Sequence, residues 1–141
     1  MPELDDATVA YVLETRRGFE DLRQAAAQLA GLLAMEASGA RSEMPQHPLL
    51  AAAQELSRDA AESIRQARVT PRAQRHHDHL VHAAEEMRRA LTAARRSLAI
   101  DPILRPLRAA YTELEGASRE LPGFEMVAFG HGCCGLAGRK A

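Results

Sequence analysis

Apolar residues recur along this chain at helical spacing. From about Asp6 to Ala37, Val12, Phe19, Ala26 and Leu33 repeat at intervals of seven, with Leu22 and Leu29 interleaved. This is the stripe of an amphipathic helix that must bury one face against a partner. Asp5 or Asp6 supplies its cap and an acidic start suited to the positive end of the helix dipole. Gly18 and Gly31 each weaken it by up to about 1 kcal/mol relative to Ala, and Gly39 ends it.

The stretch 38–47, SGARSEMPQH, has no period and predicts a surface loop. Pro48 then opens a second helix reaching about Arg68, because its missing amide proton would have had no partner there. Leu49, Ala53, Leu56, Ala60, Ile64 and Ala67 form its expected apolar stripe. Thr70-Pro71 repeats the cap-then-proline signal and starts a third helix running to about Ala99. Ala73, Leu80, Met87 and Ala94 make one heptad row there, and His77, Ala84, Leu91 and Leu98 the other. Asp101 is expected to cap a fourth helix, from Pro102 to about Leu121, whose apolar face comprises Leu104, Leu107, Tyr111, Leu114 and Leu121. Pro106 removes a backbone hydrogen bond near its start, and Pro122-Gly123 ends it in the order a type II turn prefers.

Short connections between successive helices force antiparallel neighbours. The expected fold is therefore all-α, an up-down-up-down four-helix bundle over residues 1–123, with an apolar tail at 124–141 packed at one end. At 141 residues the chain is long enough to bury a core without disulfides. With 4% aromatic residues and no Trp, that core is built from Ala, Leu, Val, Ile and Met.

Charge narrows the choice of partner. Eighteen basic residues against nineteen acidic ones, a net charge of −1, are spread along the helices. No single-signed field exists to steer a polyanion, which argues against nucleic acid. The start, MPELDDATVAYVLE, lacks the basic-then-apolar pattern of a secretory signal, and no apolar run is long enough for a membrane span. These readings predict a cytoplasmic protein, in which adjacent thiols are expected to be reduced, metal-bound or redox-active.

The rarest chemistry lies in the tail, FEMVAFGHGCCGLAG, from Phe124 to Gly138. An up-down-up-down order would bring this segment to the same pole as the run RHHDHLVH, Arg75 to His82, and the acidic residues Glu3, Asp5 and Asp6. Projected at about 100° per residue around Leu80, His76 and His77 flank the buried stripe and His79 lies within reach of His76. His77 is then the buried edge residue and His82 the solvated one. His76, His79, His131, Cys133 and Cys134 form a candidate donor set for zinc or copper, since thiolates and imidazoles suit soft ions and a structural zinc needs four ligands. A low-pKa thiol beside His⁺ would alternatively make Cys133 and Cys134 a redox sensor through a strained vicinal disulfide. The bland alternative is a solvated histidine turn, with the cysteines packing as small apolar side chains.

Cys133-Cys134-Gly135 resembles a fragment of the cysteine-rich CCG motif of heterodisulfide reductase type, but that pattern requires further cysteines and this chain has two. No phosphate-cradling glycine loop, nucleophile elbow, Glu-x-x-His or H-E-x-x-H occurs, so no enzyme is expected. The leading expectation is a helical interaction protein. It would use Phe124, Met126, Val127, Phe129 and Leu136 with the histidine-rich pole to hold a protein partner or a second copy, and its heptads permit a homodimer. The metal or thiol sensor stands as the alternative.

Overall fold

The computed structural model describes residues 3–39, 44–96 and 99–126. Four α-helices follow one another: α1 (Asp6–Ala37), α2 (Pro48–Gln66), α3 (Gln74–Arg96) and α4 (Asp101–Glu120), with short 3-10 turns at Met44–Gln46 and Pro71–Ala73. They form the all-α four-helix bundle that the periodicity predicts. Neighbours in sequence pack against each other, and α3 touches all three other helices. Three cross-links define one pole. The Thr8 and Thr70 hydroxyls lie 2.9 Å apart, the Arg68 amide donates to Glu14 Oε1 at 3.3 Å, and Arg75 pairs with Glu120 at 3.5 Å. The start of α1, the α2–α3 junction and the end of α4 therefore meet there, as alternating helices require.

Local chemistry explains where the helices begin and end. The His47 imidazole accepts the Leu49 amide ahead of Pro48, a cap the sequence reading did not include. Thr70 accepts from the Ala73 amide as expected. Helix α2 stops at Gln66, two residues short of expectation, because Ala67 is already extended on the approach to Pro71. Thr70, whose α conformation the following proline disfavours, is extended too. Asp101 is the first residue of α4 and not its cap; Ile100 holds that position without a side-chain hydrogen bond. Pro106 lies inside α4, where the carbonyl it leaves unbonded belongs to exposed Pro102 in the first turn, open to water. Gly39 and Gly123 adopt φ of +88° and +95°, the left-handed conformations that helix ends and type II turns reserve for glycine.

The core is a stack of Leu and Ala with few larger side chains. In α2 the buried stripe is Leu50, Ala53, Ser57, Ala60 and Ile64. Leu49 is 39% exposed, because it falls about 100° from that stripe. In α4 the stripe is centred on Ile103, Leu107, Ala110 and Leu114, which leaves Leu104 and Tyr111 half-buried at its margin. Gly18 is more than a weak point in α1: a Cβ there would lie 3.1 Å from Ile64 Cγ1, so its absence lets α1 and α2 approach closely. Gly31 has open space around it and contributes only flexibility.

After α4 the chain turns at Gly123 and sends Phe124 inward. Its ring is 1% exposed, 5.4 Å from the Phe19 ring and 4.0 Å from that of His76, centroid to centroid. Phe124 thereby ties the end of α4 to α1 and α3. No helix among the described residues is long and apolar enough to cross a membrane.

Candidate functional site

The pole formed by α1, α3 and α4 distributes the histidines of RHHDHLVH among different tasks. His76 is fully buried, and its Nδ1 lies 2.8 Å from the Tyr11 hydroxyl. The Nε2 side of the same buried ring has no partner among the described residues, whichever of the two bonded atoms carries the shared proton. Burial, then the charges of His79 and His77, push the His76 pKa from 6.5 down to about 4, so the ring is neutral at pH 7. Burial likewise pushes the Tyr11 phenol up.

His77 is the half-buried neighbour. Its Nε2–H donates to the Ile64 carbonyl at 3.0 Å, in the last turn of α2, where that oxygen also accepts the Ala67 amide at 3.2 Å. His79 turns to α4 and donates from Nδ1 to Glu113 Oε1 at 2.8 Å, while His82 is mostly exposed with its Nδ1 4.0 Å from the same oxygen. Gly116 makes room for this pair: a Cβ there would come within 2.6 Å of the His79 ring.

The expected roles of His76 and His77 are therefore exchanged. The buried stripe of α3 includes Ala83 and Ala90 as well as Leu80 and Met87. Its centre consequently lies toward His76, because α3 is covered by α1 and α4 together. His76 and His79, the two described members of the candidate donor set, are engaged by Tyr11 and Glu113 respectively. Among the described residues no group of three or more His, Cys, Asp or Glu side chains is placed to hold a metal ion. His131, Cys133 and Cys134 lie outside the described residues, as do Val127, Phe129 and Leu136 of the expected interaction surface. Of that surface, Phe124 is consumed by the core and Met126 packs half-buried against it.

The structure shows a surface feature that periodicity did not. Between α2 and α3 runs a trough with an open volume of about 550 Å³, lined among the described residues by these two helices alone. Hydrogen bonds draw the helices together at its ends, His77 to Ile64 at one and Arg95 to Gln54, at 3.4 Å, at the other. Between them the facing margins carry the small residues Ser57, Ala61 and Ala84, which leave the space unfilled. Val81 projects beside the trough at 43% exposure. Arg58 and Arg65 stand on the α2 rim, with Glu85 and Arg88 on the α3 rim. Arg65 pairs with Glu62 and Arg88 with Glu85, whereas Arg58 makes no ion pair among the described residues. A sequence signal for this site existed in Val81, a β-branched apolar residue one position off the stripe that runs through Leu80 and Met87, but the missing bulk at Ala61 and Ala84 looks the same as ordinary helix core.

No family model, curated protein or solved structure matches the chain, so the arrangement is interpreted from its own geometry.

Proposed function

We propose that the chain is a helical-bundle interaction module whose working surface is the α2–α3 trough, occupied in use by one helix of a partner protein. The observation that carries this reading is the two-walled shape. Walls from two neighbouring helices, with no third element over them among the described residues, are what an amphipathic helix completes by packing its apolar face into the groove. The trough spans fifteen residue steps of α3, from His77 to Thr92, or about 22 Å at the usual rise, which matches roughly four turns of a docked helix. An exposed valine beside a nearly buried apolar floor gives that helix something to cover. Arginine side chains and Glu85 on the rims offer recognition chemistry.

Selection from a random peptide library tests this. Enriched sequences are expected to carry apolar residues at i, i+3, i+4 and i+7, and Val81→Glu is expected to weaken them at least about tenfold, since it places a charge under the docked apolar face. Enrichment of sequences without helical period, or binding indifferent to Val81→Glu, contradicts the reading.

A further inference from the structure

Resting on that docking role, we infer that the α2–α3 trough selects a helix whose apolar face is flanked by carboxylates. Over the whole chain acidic residues slightly outnumber basic ones. Around the trough the balance is reversed, with Arg58, Arg65 and Arg88 against Glu85. The arginines stand on both rims, so an incoming helix meets guanidinium groups on either side of its buried face. Arg58 has its donors uncommitted within the described residues, and the pairs of Arg65 and Arg88 are exposed contacts within single helices. A guanidinium carries five donors, so such a pair leaves capacity for a second carboxylate. Glutamates placed three or four residues apart along each flank of a docked helix would reach these groups.

The same charges disfavour two other occupants. A second copy related by twofold symmetry would set one arginine rim against another, a like-charge contact that works against association. The chain's own residues 127–141 contain Arg139 and Lys140 and no Asp or Glu, so their side chains bring the wrong sign. Exposed ion pairs contribute little affinity individually, about 0.2 to 1 kcal/mol each. Their effect here is to choose between helices that fit the apolar floor equally well.

Two synthetic amphipathic peptides of about eighteen residues decide the matter, with identical leucine faces and either Glu or Lys on both flanks. Binding to the full chain is followed by fluorescence anisotropy. The Glu peptide is expected to bind at least about tenfold more tightly, with the preference shrinking at high salt. Arg58→Glu is expected to narrow that preference severalfold. Ala61→Phe, which fills the trough from a half-buried position, is expected to remove binding of both peptides while circular dichroism shows the helices intact; Val81→Glu serves should that variant fail to fold. Equal binding, or preference for the Lys peptide, overturns the charge selection while leaving the docking role standing. No binding of either peptide overturns both. A concentration-dependent dimer broken by Ala61→Phe would make a second copy the occupant and overturn the inference.

Discussion

Phe124→Ala is expected to lower the unfolding free energy by about 3 to 5 kcal/mol, the range for removing a fully buried aromatic ring. Phe124 is among the largest buried side chains, and its ring contacts Phe19 and His76. Truncation leaves a cavity bounded by Phe19 of α1 and His76 of α3. A bundle of this size has about 5 to 15 kcal/mol in total, and the melting temperature should drop by roughly 10 to 20 °C. Phe124→Leu retains most of the volume and should cost less than half as much. Urea unfolding checks this, with the midpoint expected to move and the slope to stay constant. A loss below about 1 kcal/mol for the alanine variant would show that the ring does not close this seam.

The second large effect is on acid stability. His76 has a pKa of about 4 when folded and 6.5 as a reference. Between these values the unfolded chain takes up a proton that the folded chain refuses, so stability rises with pH across this interval. The contribution of neutral His76 is complete above about pH 6.5 and is lost progressively as pH falls toward 4. About 2 to 3 kcal/mol should disappear across that window, at 1.36 kcal/mol per pKa unit. The double variant Tyr11→Phe/His76→Phe replaces both hydrogen-bonding partners with rings of similar shape, which for a buried pair is close to neutral. It should match the natural chain at pH 7 and resist acid better by the predicted amount. Tyr11→Phe alone withdraws the phenol and leaves both imidazole nitrogens unpaired, for a cost of about 1 to 3 kcal/mol. Identical pH profiles for the natural chain and the double variant would refute this role for His76.

Much of the fold was legible in the residues because its signals are local. The heptads of α1, Pro48 and the glycines at 39 and 123 each act through their own backbone, and the structure uses them as read, while Pro71 opens a 3-10 turn that passes into α3 only at Gln74. Which histidine goes inside was not legible. That depends on how widely α3 is covered, and coverage comes from α1 and α4, dozens of residues away in sequence. A rotation of roughly 20° in the centre of the stripe carries it toward His76 and away from His77. The trough was hidden for a different reason. It arises where Ser57, Ala61 and Ala84 fail to fill the space between two helices, and alanine in a periodic position gives the same signal whether it closes a core or leaves a groove. The pairing of His79 with Glu113 across α3 and α4 likewise depends on Gly116, whose missing side chain acquires meaning only once the helices are set side by side.

The location of the working surface is tested most directly by amide chemical-shift mapping as the Glu-flanked peptide is added to the isotope-labelled chain. The account predicts that the largest shifts follow the trough, at Ala61, Ile64, Val81, Ala84 and Leu91, while Leu107 and Tyr111 on α4, which lines no part of it, stay in place. Shifts centred on the pole of Thr8 and Thr70, or on the seam closed by Phe124, would contradict it.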